Sequence, residues 1–408
     1  MNNTPAANRL QIGIFGRRNS GKSSFINALT GQDIAITSET PGTTTDPVGK
    51  TIELKGLGPV YLYDTAGLDD IGELGEKRKS KSMDIVRRIN MAVLVSTYSS
   101  FDGFEEALIE EFTKNNTEII VIFNKTDIEE KDEKKEKSLS EKGIKNISLS
   151  CASGAGINEA RKLIVNTGAR LSAEPAVIIS DLVDKGSTVV LVVPIDTGAP
   201  KGRIILPQVQ VIRDCLDNDC AAVTVKETGL KNILNTLNTK PSLVICDSQA
   251  IEKVSKDTPD DIPLTTFSVA FSRLKGDLNV FAEGIKAVET LRDGDKILIL
   301  EACSHHPQPD DIGRIQIPRK LSRYTGKNFV FDFNAGPYSK KDLAGYSLII
   351  SCGGCMINRR EMLSRLQDAE SAGIPVTNYG MLLAYFHGVF ERVIKPFAGE
   401  RAKNGSTS

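Results

Sequence analysis

Gly16-Arg17-Arg18-Asn19-Ser20-Gly21-Lys22-Ser23 follows directly on the apolar run Leu10 to Phe15 and opens the helix-like stretch Ser24 to Leu29, which Gly31 stops. Strand, glycine loop and helix in this order form the setting that a phosphate-binding loop requires. Gly16 and Gly21 let backbone N–H groups curl round phosphates, with Asn19, Ser20 and Ser24 completing the loop. Lys22 can reach the β and γ phosphates, and Ser23 can ligate Mg²⁺. The bland alternative is an ordinary turn that matches by chance.

Elements further along argue against chance, because they arrive in a fixed order. Tyr61-Leu62-Tyr63 leads into Asp64-Thr65-Ala66-Gly67, where Asp64 can hold the Mg²⁺ shell and the Gly67 amide can sense a γ-phosphate. The buried-strand run Ile119 to Phe123 ends in Asn124-Lys125-Thr126-Asp127. A carboxylate at Asp127 can accept both the ring N–H and the exocyclic amine of guanine, a pair that adenine lacks. The alternating stretch Ile144 to Leu149 then delivers Ser150-Cys151-Ala152, placed to close over a base with backbone amides. The expected nucleotide is GTP.

These residues together resemble the GTPase domains of the Era and TrmE type. Pro41-Gly42-Thr43-Thr44-Thr45-Asp46 resembles that group's first switch, and the resemblance implies that Thr44 ligates Mg²⁺ when GTP is bound. Ras-like proteins carry a water-orienting glutamine after the Asp-x-x-Gly turn, whereas this chain has Leu68, which cannot polarise water. In the TrmE-like group a K⁺ ion, held partly by a loop asparagine, supplies the missing help. Asn19 occupies the matching position; its bland reading is a loop-capping side chain. Asp69 to Ser82 follows the second switch and is where a nucleotide signal can leave the domain. The mixed-charge run Glu129 to Lys142 reads as solvated helix faces or loops.

Composition bounds the rest. A chain of 408 residues suits two or three domains, and 40% apolar with 25% charged residues is ordinary for a globular protein. A net charge of -1 leaves no electrostatic footprint for nucleic acid or an anionic membrane. No apolar run approaches the roughly 20 residues of a membrane helix, and Met1 to Arg9 is no signal peptide, so a cytoplasmic protein is expected. Seven cysteines, an odd number spread along the chain, point to reduced thiols and not to a disulfide framework.

After Leu171 the texture changes to short β-branched runs, Ala176 to Ile179, Thr188 to Val193, Thr224-Val225 and Leu243 to Cys246. An apolar segment from Ile204 can open a helix, and Gly229 to Leu237 reads as another. Cys215, Cys220 and Cys246 fall in no ligand spacing and read as packing residues. Asp260-Asp261-Ile262-Pro263 reads as a linker, and Phe267 to Leu291 as largely helical, with Gly276 and Gly284 as weak points. The expected domains are 8–171 for GTP, 172–265 for self-association as a homodimer, and 266–408 for metal.

The metal expectation rests on two segments, Cys303-Ser304-His305-His306 and Cys352-Gly353-Gly354-Cys355. Each closely follows a strand-like run, Lys296 to Leu300 and Ser347 to Ser351. If those runs are neighbouring parallel strands, the soft ligands converge at one sheet end, where open α/β sheets place their sites. Arg359 to Ala372 reads as a helix and Pro375-Val376-Thr377 as a further strand, so the domain is expected to be a doubly wound α/β sheet. Spacing alone leaves two fates open. Zinc would take three sulfurs and a nitrogen of His305 or His306. A 4Fe-4S cluster would take Cys303, Cys352 and Cys355 and leave one iron for a weaker ligand. His387, alone in an apolar stretch, reads as a core or surface residue.

A GTPase domain of this type followed by Cys-x-His and a later Cys-x-x-Cys is similar to the HydF family, maturation GTPases and scaffolds for FeFe hydrogenase, and the resemblance spans the chain. It implies a 4Fe-4S cluster on Cys303, Cys352 and Cys355, a diiron precursor as cargo, and FeFe hydrogenase with its radical-SAM maturation enzymes as partners. Many members have a histidine just before the Cys-x-x-Cys where this chain has Ser351, leaving His305, His306 or a carboxylate for the fourth position. The rival reading is an Era-like GTPase with a zinc domain that binds RNA in ribosome assembly; the near-zero charge and the lack of a Gly-x-x-Gly beyond residue 170 speak against it. A metal-dependent enzyme at the cysteines would need an acid–base pair, and none is visible.

Overall fold

The computed structural model describes residues 6–31, 49–65, 84–172, 177–195, 204–302, 311–335 and 343–398. They fall into two compact units, Met1–Pro175 and Ala176–Ser408. Thr44, Gly67, Cys303, His305 and His306 lie outside the described residues, as do the two switch segments.

The first unit runs β1 (Leu10–Phe15), α1 (Lys22–Thr30), β2 (Gly49–Leu54), β3 (Gly58–Asp64), β4 (Met91–Ser96), α2 (Gly103–Lys114), β5 (Glu118–Phe123), α3 (Glu133–Glu141), β6 (Lys145–Ser148) and α4 (Ile157–Leu171). Its sheet has the order β2-β3-β1-β4-β5-β6, parallel throughout except for the β2–β3 hairpin. The two-residue period of a strand sorts the core: Ile12 and Ile14 pack with Phe25, Ile26 and Ile164 on one face, and Phe15 packs with Leu94, Phe112 and Phe123 on the other. Each such buried side chain contributes roughly 1.5–3 kcal/mol. Met91–Ser96, which no motif marks, is the central strand, and all six of its residues are buried. The charged run before residue 142 forms α3, capped by Asp132, with Leu139 as its buried residue.

The second unit holds two four-stranded parallel sheets. The first is built from β7 (Thr188–Val192), α5 (Leu206–Asp217), β8 (Ala221–Val225), α6 (Leu230–Thr236), β9 (Leu243–Cys246), α7 (Ile251–Asp257) and β10 (Leu264–Thr266), in strand order β10-β9-β7-β8. Then come α8 (Phe267–Lys275), α9 (Leu278–Gly284), α10 (Ala287–Thr290), β11 (Lys296–Leu300), α11 (Ile317–Thr325), β12 (Val330–Asn334), β13 (Leu348–Ser351), α12 (Arg359–Ser371), β14 (Val376–Asn378), α13 (Tyr379–Phe386) and α14 (Phe390–Ile394). The second sheet has the order β12-β11-β13-β14. One hydrophobic cluster runs through both sheets, from Val190 and Ile245 through Phe271 and Phe281 to Ile299, Ile350 and Met381.

Two expectations change here, and a third is sharpened. Val177 to Ile179 form no strand, because the Asp214 carboxylate on α5 captures the N–H groups of Ile178, Ile179 and Ser180 at 3.3, 2.8 and 2.8 Å and turns the chain. Asp260 to Pro263 does not leave the sheet: β10 follows at once and pairs with β9 in the register Leu264↔Val244. Phe267 to Leu291 is largely helical as expected, in three helices, with the first break at the weak point Gly276, which caps α8, and Asp277 accepting the N–H groups of Asn279 and Val280 to start α9.

Candidate functional site

The loops after β1, β3, β5 and β6 all leave the same edge of the first sheet, since these strands are parallel. In the loop after β1, Gly16 has φ +144° and Gly21 φ +97°, conformations that L side chains rarely adopt. A Cβ on Gly16 would lie 2.1 Å from the Val95 carbonyl oxygen, and one on Gly21 would lie 2.1 Å from Asn124 Nδ2. Lys22 is 9% exposed, and its Nζ donates to the carbonyls of Gly16 (2.8 Å) and Arg17 (2.7 Å). The Ser20 hydroxyl is buried and has no hydrogen-bond partner among the described residues. Ser23 and Ser24 are exposed in the first turn of α1, whose N-cap, Gly21, offers no side-chain acceptor. Backbone donors, a buried ammonium and an exposed serine hydroxyl at a helix N-terminus suit a phosphate chain with its metal ion. Asn19 also has positive φ, +62°, and is exposed.

Asp64 ends β3 opposite Ile14 of β1. Burial raises its pKa above the ordinary value, and the nearby Lys22 charge pulls the other way. The next residue, Thr65, donates its hydroxyl to the Ile14 carbonyl at 2.7 Å, which pins Asp64 beside the loop.

On the base side, Asn124 is a staple between loops. Its Nδ2 donates to the Ser20 carbonyl at 3.0 Å, and its Oδ1 accepts from the Cys151 amide at 3.1 Å. Lys125 follows in the left-handed region, φ +65°. The exposed Asp127 accepts from the Ser150 hydroxyl at 2.5 Å, and that hydroxyl also accepts from the Ser153 amide at 3.1 Å. Burial, then Asp127, pushes the Cys151 thiol up to about 11, so it is neutral near pH 7. Ala152 is exposed beside it.

In the second unit β11 and β13 are adjacent and parallel, with Leu300 opposite Ser351. The amide of Ala302 donates to Cys352 Sγ at 3.1 Å. Cys352 and Cys355 are half-buried, and Gly354 between them has φ +64°. Burial raises both thiols; backbone amides of Gly354 and Ala302 oppose it at Cys352, and Lys275 opposes it at Cys355. Lys275, the last residue of α8, is 5% exposed, and burial drives its pKa down to about 8 while Cys355 pulls it up. Burial is the larger influence at both cysteines, so each thiol is held towards its neutral form, and the amides and Lys275 are the groups that favour sulfur with negative charge. Among the described residues no three His, Cys, Asp or Glu side chains form a metal cluster; of the expected sulfur ligands, Cys352 and Cys355 are the two described. His387 lies partly buried at the surface, 3.5 Å from Lys320 and 3.7 Å from Glu252. Cys215, Cys220 and Cys246 are buried packing residues.

Two contributors escaped the sequence. Lys275 sits at an ordinary helical position, and nothing local marks it. Arg17 lies inside the loop, but its partner Glu105 is on α2.

Residues 11–125 match the family described as 50S ribosome-binding GTPase, residues 178–276 the hydrogen maturase F dimerization domain, and residues 279–396 the hydrogen maturase F tetramerization domain. The tRNA modification GTPase MnmE of Zymomonas mobilis is 34% identical over 173 residues, 41% of this chain and 36% of that protein. The MnmE of Bacillus licheniformis is 37% identical over 119 residues, 29% of this chain and 26% of that protein. The chain thus spans about a third or less of the length of these curated relatives. A solved structure of a probable GTP-binding protein, engB, aligns with a TM-score of 0.33 at 21% identity, over 39% of this chain and 99% of that one. With its parallel sheet and phosphate loop, the first unit places the molecule among the P-loop GTPases. The two hydrogen maturase F domains behind it, which between them match more than half of the chain, narrow the class: this chain belongs to the HydF family.

Proposed function

We propose that this chain hydrolyses GTP and uses the nucleotide state to govern a 4Fe-4S cluster and a diiron precursor, which it delivers to FeFe hydrogenase in concert with radical-SAM maturation enzymes. In the GTP site Gly16, Ser20, Gly21 and Ser24 wrap the phosphates, and Lys22 exchanges its two carbonyl partners for phosphate oxygens. Ser23, Thr44 and Asp64 hold Mg²⁺, and Gly67 senses the γ-phosphate. Asp127 reads guanine, with Asn124, Lys125, Ser150, Cys151 and Ala152 closing round the base. Asn19 helps hold K⁺, which takes over charge stabilisation where Leu68 cannot orient water.

Cys303, Cys352 and Cys355 hold the cluster, with His305, His306 or a carboxylate at the fourth position. The donor set fits: thiols for iron, backbone amides for sulfur, and a buried ammonium for negative charge. When bound, the cluster supplies an iron with one exchangeable position. The observation that carries this reading is the 3.1 Å contact between Cys352 Sγ and the amide of Ala302, the residue immediately before Cys303.

The protein acts in the cytoplasm; no described helix is long and apolar enough to cross a membrane. Residues 8–171 form the GTP domain, 172–265 a dimerisation domain and 266–408 the cluster domain, and the name of the family matched over 279–396 extends self-association to a tetramer. Strand β8 is a sheet edge, and Val209 and Leu216 on the adjoining α5 are 46% and 59% exposed, an apolar surface suited to a second copy.

Anaerobic reconstitution with iron and sulfide tests the proposal. The expected product is brown, binds about four irons per chain, and loses them when Cys352 and Cys355 become alanine. GTP turnover is expected to be faster in K⁺ than in Na⁺. A colourless protein that retains zinc, or unchanged iron in the variants, would reject the cluster reading.

A further inference from the structure

We propose that Arg17 is a positioning residue of the phosphate loop: its guanidinium, gripped by Glu105 and Asp102 at the start of α2 and lying over Phe104, holds the loop in its nucleotide-ready shape. Arg17 Nε donates to Glu105 Oε1 at 2.9 Å and its second nitrogen to Glu105 Oε2 at 3.1 Å, the bidentate fork that suits a carboxylate. The same nitrogen also donates to Asp102, and the guanidinium carbon lies 4.9 Å from the centre of the Phe104 ring. Glu105 is 0% exposed, so its charge is tolerable only while paired. It also accepts the Asp102 amide at 3.1 Å, closing the capping box of α2. The fork is therefore built into the rigid start of a helix.

The other end of Arg17 is the part the nucleotide depends on. Its carbonyl accepts from Lys22 Nζ at 2.7 Å and also receives the Ser20 amide at 3.4 Å. Gly16, Asn19 and Gly21, around it, all have positive φ. Backbone in such conformations persists where the surroundings over-determine it. Arg17 supplies that constraint from the side, as Asn124 does from the base loop. With its guanidinium committed to carboxylates, it acts on the loop and not on the phosphates.

The proposal rests on the nucleotide reading of this loop, and fluorescent GDP and a non-hydrolysable GTP analogue titrated into the full chain test the two separately. Arg17→Ala and Glu105→Gln are each expected to weaken both nucleotides by roughly ten- to a hundredfold. Arg17→Lys, which keeps the charge and loses the fork, should fall between them and wild type. The double variant should be no weaker than the poorer single one. In turnover assays KM should rise by more than kcat falls. Melting without nucleotide identifies any variant that does not fold; if Glu105→Gln is one, the two Arg17 variants decide. Unchanged affinity in them, additive losses, or a collapse of kcat at full affinity would overturn the proposal. Wild-type protein that binds neither nucleotide would remove the site reading itself.

Discussion

Asp127 commits one carboxylate oxygen to the Ser150 hydroxyl, which the Ser153 amide holds in turn. The acid is therefore fixed before any base arrives. Replacing it with asparagine keeps the shape but turns half of the acceptor into a donor. Asp127→Asn is expected to lose GTP affinity by about a hundredfold or more and to gain affinity for xanthosine triphosphate, whose ring presents a carbonyl where guanine has its amine. Competition between the two nucleotides measures this, and an unchanged preference for GTP would contradict the assignment. The residue types at this scale were legible in the sequence. The second duty of Asn124, which joins the Ser20 carbonyl to the Cys151 amide, was not, because its partners come from loops over a hundred and nearly thirty positions away.

Among the elements, α9 makes a contact that only glycine allows. A Cβ on Gly284 would sit 1.9 Å from the Val376 carbonyl oxygen and 2.4 Å from its carbon, both backbone atoms of β14. Gly284→Ala must push the helix off the strand, at a cost of about 3 kcal/mol. Urea denaturation reads this, and a change within about 0.5 kcal/mol would show that the helix shifts freely. From sequence, Gly284 is only a weak point in a helical pattern. The strands that carry the site were legible, because Leu10–Phe15, Glu118–Phe123, Lys296–Leu300 and Leu348–Ser351 are apolar runs buried on both faces. The three-residue β10 and the edge strand β12 were not: one is too short for a period, and the other has no fully buried residue to set a period.

At the scale of the molecule, the exposed apolar residues on α5 stand beside the open edge of β8. Leu216→Asp places a charge on that surface, and burying it between two copies would be costly. The expected result is a lower mass by light scattering, one association step smaller than wild type, with GTP affinity unchanged. An unaltered mass would move the interface elsewhere. The core that threads both sheets of the second unit gives such an assembly a firm platform, since the sheets pack as one body of buried side chains.

By itself the sequence determined the phosphate loop, the Asn124 to Asp127 motif for which we propose guanine recognition, and the Cys-x-x-Cys pair, because each is a local pattern whose residues are neighbours along the chain. It also implied that two strands would bring cysteines to one sheet end, and β11 and β13 are indeed parallel neighbours. Only the tertiary structure decided that Glu105 grips Arg17, that Asn124 staples two loops, and that Lys275 faces Cys355. These pairings join residues from different elements, and their strength comes from removing charge and hydrogen-bonding groups from water together. That condition exists only once the sheets and helices have packed.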